Sequence, residues 1–151
     1  MPLQFQADDP QPVTDAELSR LSRLLSADIP GFRLDAAYEE FLSRHHKQEL
    51  VECTVPLSDD STMPIDLFLT FDRADGVDSV VGFWNAIEDR INEFLVPFAI
   101  TPGNDAFCFD YEGFPDESIR VVLWLHEKSE EDAPFTVPVA ESFSEFLQLV
   151  K

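Results

Sequence analysis

The apolar period of this chain changes twice, from helical to alternating and back to helical. That order constrains the fold class more than any other feature. Thr14-Asp15-Ala16-Glu17 is a capping-box pattern, with Thr14 as N-cap and Glu17 at N3. Leu18, Leu21, Leu24 and Leu25 follow at helical spacing and predict a first helix over Asp15–Ser26. Ile29-Pro30-Gly31 breaks it. A second helix opens at Leu34 or Asp35 and places Tyr38, Phe41, Leu42 and His45 on one face. It fades into the polar residues 44–49.

The alternating part begins at residues 50–56, a β-rich stretch. A polar turn at 58–62 separates it from 64–71, where Ile65, Leu67, Leu69 and Phe71 fall on one side. Residues 72–78 form an acidic loop around Gly76. A third helix then starts near Ser79, and Val80, Trp84, Ile87, Ile91, Phe94 and Leu95 keep a helical stripe for four turns. Residues 95–100 are extended, 101–105 carry strong turn chemistry, and 106–111 and 119–126 read as apolar strands. Residues 112–117 and 127–132 are acidic loops, and 135–139 is a short strand or edge segment. Ser142 and Glu145 open a closing helix that keeps Phe143, Phe146, Leu147 and Val150 together. Helices first, strands in the middle and a last helix predict one α+β domain with a central, mostly antiparallel sheet. Residues 1–13, with Pro2, Pro10 and Pro12, read as a flexible lead-in to a single domain over 14–151.

Composition agrees with a packed domain. At 151 residues and 44% hydrophobic, the chain is one ordinary domain, and it buries roughly 70% of its unfolded surface. That apolar content is too high for an acidic disordered protein. Ten Lys+Arg against 30 Asp+Glu give a net charge of −20. Affinity for a phosphate backbone comes from cations, so this balance disfavours nucleic acid, and it disfavours anionic membrane likewise. It favours a basic protein partner through steering. Simple solubility produces the same charge, so charge alone names no function. The N-terminus lacks the basic and apolar regions of a signal peptide, and no run of about 18 apolar residues occurs. These features give a cytoplasmic expectation. Cys53 and Cys108 both lie in apolar strand-like stretches, where a free thiol packs as a small hydrophobe. Their pairing is left open.

Catalytic signatures are missing: no G-x-S-x-G, H-E-x-x-H, phosphate-binding Gly-rich loop or C-x-x-C occurs. For zinc, His45, His46, His126, Cys53 and Cys108 are the available ligands. They lack recognisable spacing, and His45 and His46 diverge by about 100° on a helix. The acidic groups 59–60, 72/75/78 and 130–132 sit in loops, where solvated charge is the plainer reading, and no calcium-loop spacing is met. Neither cofactor nor metal is expected. Phe occurs 14 times, mostly at core positions. Phe83, Phe114 and Phe135 are the less obviously core ones; an exposed one among acidic loops would suit a partner anchor, and core is the plainer reading for each.

Three blocks resemble the SUKH superfamily (SMI/KNR-type proteins). The first is Phe32-Arg33-Leu34-Asp35-Ala36-Ala37-Tyr38-Glu39-Glu40-Phe41-Leu42-Ser43-Arg44-His45, similar to the family's extended lead into an aromatic and Phe-Leu pair. The second spans 94–111, with Gly103, Asp105, Phe107, Cys108 and Asp110 in matching places. The third spans 119–147, with Trp124, His126 and the closing Val139-Ala140-Glu141-Ser142-Phe143-Ser144-Glu145-Phe146-Leu147. Asp35 stands where Pro is usual, and His46-Lys47-Gln48 replaces the usual Asn-Gly-Gly turn. Residues 49–78 carry no clear family pattern.

The resemblance implies an immunity protein, not an enzyme, that binds and neutralises a cognate secreted toxin in polymorphic or contact-dependent systems. Many such toxins act on nucleic acid and are therefore basic. Fungal relatives imply the alternative of a regulatory scaffold for an endogenous partner. A third class, a carboxylate-based hydrolase, requires two convergent acids with perturbed pKa values. For the immunity reading, the expected partner-facing acids are Asp59, Asp60, Asp72, Asp75, Asp78, Asp105, Asp110, Glu112, Asp116 and Glu117. Stabilisation of a turn or strand end is an equal alternative for Asp105 and Asp110.

Overall fold

The computed structural model describes residues 3–6, 10–11, 13–131 and 133–151. The readings placed on Pro2, Pro12 and Asp132 lie outside them. Helix α1 spans Asp15–Ser26. Both halves of its capping box form: the Glu17 N–H donates to Thr14 Oγ1 at 3.1 Å, and the Thr14 N–H to Glu17 Oε1 at 3.0 Å. Leu21 is buried, but Leu24 leaves the stripe and is 50% exposed. Helix α2 spans Ala36–His45 and buries Tyr38, Phe41 and Leu42. Its N-cap is Asp35, whose carboxylate accepts the Tyr38 N–H at 3.1 Å. Asp35 therefore satisfies a helix-end donor that a proline there would leave to water.

Strands β1 (Thr54–Pro56) and β2 (Thr62–Pro64) form a separate two-stranded antiparallel hairpin. The main sheet runs β3 (Leu67–Phe68), β4 (Leu95–Ile100), β5 (Ala106–Asp110), β6 (Arg120–Trp124), β7 (Thr136–Ala140), neighbours in that order and all antiparallel. The continuous strand expected over 64–71 is thus divided between two sheets. The Ile65 N–H donates to Cys53 C=O at 3.2 Å, while the Asp66 N–H donates to Ile100 C=O at 2.8 Å. The chain changes partners between these two residues, and its alternation lapses: Leu67 is half-buried while Leu69, Thr70 and Phe71 are all buried. The stretch 50–56 is regular only in β1. Leu50 instead makes an isolated bridge to Phe5, whose ring stacks on His45 at 4.1 Å.

The acidic loop expected over 72–78 is wound into 3-10 turns at Arg73–Asp78. Helix α3 then covers only Val80–Ala86, two turns rather than four. A longer helix would need the Phe94 N–H to reach Arg90 C=O. Both groups are taken elsewhere. The Phe94 N–H donates to Asn92 Oδ1 at 3.0 Å, and Arg90 C=O accepts the Trp124 indole N–H at 3.0 Å. Ile87 and Ile91 stay buried through turns instead. Gly82 is packed against the 3-10 segment so closely that a Cβ there would lie 1.8 Å from Gly76 O.

Helix α4 (Phe143–Leu149) begins at Ser142, whose Oγ accepts the Glu145 N–H at 3.1 Å. Together α2 and α4 cover one sheet face. Phe98, Phe107 and Phe109 point there against Tyr38, Phe143 and Phe146, with ring centroids 4.8–6.0 Å apart. Trp124 pairs with Ala106, one step from Phe107, so it faces the opposite side. There α3 meets it through Phe83, ring edge to face at 6.5 Å. Phe83 is therefore core, Phe114 is half-buried and Phe135 is 41% exposed. Cys53 and Cys108 are buried free thiols, which settles the open pairing. Burial pushes both thiols up, away from reactive thiolate.

Candidate functional site

Strand β5 separates the expected acids. Asp105 precedes it and Asp110 ends it, so they lie about 17 Å apart at ~3.3 Å per residue. At the Asp110 end, Asp110 Oδ1 accepts the Glu112 N–H at 3.0 Å. Arg120 stands opposite Asp110 in the β5–β6 register, and Glu117 approaches it at 3.8 Å. Glu112, Asp116 and Glu117 are exposed, with Arg120 among them.

At the other end, Asp105 Oδ1 accepts the His126 backbone N–H at 2.9 Å and meets His126 Nδ1 at 2.7 Å. The Asp105 N–H donates to Thr101 Oγ1 at 3.0 Å. Asp105 thus ties the 101–105 turn to the end of β6. Beside this pair lies a cleft of about 460 Å³, lined by Asp66, Val77, Asp78, Arg90, Trp124 and His126 among others. Asp66 and Asp78 are exposed on it, and Val77 is 59% exposed. Asp66 was absent from the expected set because the 64–71 alternation made it an ordinary outward strand residue. Its position on a cleft follows only from the change of partner at Ile100.

The remaining acids serve other contacts. Lys47 Nζ lies 2.6 Å from Asp72 Oδ2 and 3.5 Å from Asp75 Oδ2. Asp75 Oδ2 also accepts the Thr70 hydroxyl at 2.6 Å. The Lys47 ammonium holds the Asp72 carboxyl below the usual range. Lys47 has φ +64°, the left-handed region that favours glycine. A left-handed lysine whose side chain holds two carboxylates therefore stands in the turn after α2. Asp59 and Asp60 sit at the tip of the β1–β2 hairpin, and Asp60 is also left-handed at φ +68°. Asp59 Oδ1 accepts both the Ser61 hydroxyl and the Ser61 N–H, which lower its pKa. The ten acids therefore form four groups rather than one patch.

The three histidines are likewise apart. His45 stacks on Phe5, His126 is on Asp105, and His46 is buried with both ring nitrogens engaged. Among the described residues, no group of three or more His, Cys, Asp or Glu side chains could hold a metal ion. No helix among them is long and apolar enough to cross a membrane. Where two carboxylates do converge, at Asp72 and Asp75, an ammonium sits between them. A general acid working near neutrality needs its pKa raised, and Asp72 is shifted the opposite way. The exposed carboxylates can attract and orient cationic groups.

The sequence profile of the SMI1 / KNR4 family (SUKH-1) matches residues 12–149. The matched span runs from before α1 through α4 and includes residues 49–78. No curated protein and no solved structure matches the chain.

Proposed function

Because the chain belongs to the SMI1 / KNR4 family (SUKH-1), we propose that it is a cytoplasmic immunity protein that binds a cognate secreted toxin and covers its active or substrate-binding surface. It acts by occupancy and carries out no reaction. The observation that carries this reading is the cleft at the Asp105 end, where exposed Asp66 and Asp78 border exposed Val77. An exposed apolar contact flanked by two exposed carboxylates suits a protein partner with cationic groups, and Arg90 on the same lining lies over the Trp124 ring. With −20 on the whole chain, that partner is basic, as a toxin acting on nucleic acid must be. The acids at Asp59 and Asp60 and at Asp110, Glu112, Asp116 and Glu117 contribute long-range steering.

Co-expression with the product of the neighbouring toxin gene tests the proposal. Growth should be rescued, and the two proteins should co-elute from a sizing column. Failure of both overturns it. A complex that forms without any link to toxicity would favour the scaffold alternative.

A further inference from the structure

Helix α3 reads Val-Val-Gly-Phe-Trp-Asn-Ala and contains no charge, in a chain of which 26% is charged. It stands between two depressions. One is the cleft bordered by Asp66 and Asp78 described above. The other is a groove of about 210 Å³ between α1 and α3, lined by Leu24, Leu25, Val81 and Trp84, with Asp28 and Glu93 at its margin. Among the described residues three large apolar side chains are exposed, and two of them, Leu24 and Val77, lie on these two depressions. The Trp84 indole N–H is already donated to Leu95 C=O at 3.1 Å. What Trp84 offers the groove is therefore apolar ring surface. The marginal acids Asp28 and Glu93 are exposed, as is Asn85.

We propose that the α1–α3 groove is the anchoring site for the basic partner protein, which inserts one apolar side chain flanked by Lys or Arg. This deepens the immunity reading and rests on it. The groove has the composition of an interface centre: charge is depleted at its floor, an aromatic is present and charge is confined to the rim. The rim is acidic, so the flanking groups of the occupant are cationic. A cavity of about 150 Å³ admits a benzene molecule, so this groove accepts one side chain of Leu or Phe size. Anchoring here and attraction by acids on both sides of α3 divide the work. The groove sets the lifetime of the complex, and the rim sets its rate of formation.

The test uses association kinetics with the purified product of the neighbouring toxin gene as the probe. Leu24→Gln keeps the helix and removes the apolar wall; it should raise the dissociation rate about tenfold and leave association unchanged. Asn85→Lys puts a cation on the rim; it should slow association severalfold. Both positions are at the surface, and matching thermal melts check that each variant folds. Asn85→Lys decides alone if Leu24→Gln does not fold. Wild-type kinetics in the folded variants overturn the groove and leave the immunity reading standing. No binding by the wild-type protein overturns both.

Discussion

His46 Nε2 accepts the backbone N–H of Phe71 at 2.9 Å across the packed junction of α2 and the main sheet. The other ring nitrogen, Nδ1, faces the Gln11 carbonyl at 2.7 Å. A nitrogen that accepts an amide N–H has no proton, so Nδ1 carries it and donates to Gln11. The ring is neutral, and burial lowers its pKa below the ordinary 6.5. Below 6.5 the unfolded chain takes up the proton first. This contribution to stability is therefore complete above 6.5 and is lost as pH falls through the folded-state pKa. Urea unfolding at a series of pH values should show that decline, and His46→Gln should flatten it. A variant that keeps the full decline would assign it to other groups.

The Tyr38 hydroxyl is buried among aromatic rings and has no hydrogen-bond partner among the described residues. A buried donor without an acceptor costs free energy that phenylalanine avoids. Tyr38→Phe should raise stability by about 1 kcal/mol in equilibrium unfolding. A clear loss of stability would show that the hydroxyl is satisfied in solution.

Gly82 is required by space, since a Cβ would fall on the Gly76 carbonyl. Gly82→Ala is ordinarily helix-favouring. Here it should destabilise by about 1–3 kcal/mol, because α3 must move away from the Arg73–Asp78 turn. Thermal unfolding reads this, and an increase in melting temperature would contradict the packing.

Asp72 and Asp78 differ in what their charges do. Lys47 already pairs with Asp72, whereas Asp78 is exposed on the cleft beside α3. Asp78→Lys should slow association with a basic toxin severalfold and flatten its salt dependence. Asp72→Asn should leave the association rate nearly unchanged and weaken the hold on Lys47. Equal kinetic effects from both would remove the distinction.

The elements that could be read in the chain are those fixed by neighbours in sequence. The Thr14–Glu17 box sets the start of α1, and Asp35 and Ser142 set α2 and α4, because capping is satisfied within three residues. The apolar runs of β4, β5 and β6 were legible because their middle strands are buried on both faces. The family resemblance rested on those same parts.

Other features depended on residues far away. The stripe from Val80 to Leu95 looks like one helix, yet α3 ends at Ala86, and beyond it Trp124 donates to the Arg90 carbonyl from 34 positions away. The split at Ile65 and Asp66 was set by Cys53, just before β1, and Ile100 in β4, whose carbonyls take the two successive amides. A hydrophobic pattern records which residues are buried. It does not record which carbonyl each amide will find.

The same division holds for function. The sequence by itself determined an acidic α+β domain, because charge, capping and apolar period are properties of the chain, and its three motif blocks carry the resemblance to the SUKH family. Only the tertiary structure decided which acids are exposed and which are already held. Asp72 and Asp75 converge on Lys47, Asp105 holds His126, and Asp66 and Asp78 border a cleft beside the uncharged α3. Lys47 lies 25 and 28 positions from Asp72 and Asp75, Asp105 lies 21 from His126, and Asp66 lies 12 from Asp78, so folding rather than any local rule brings them together.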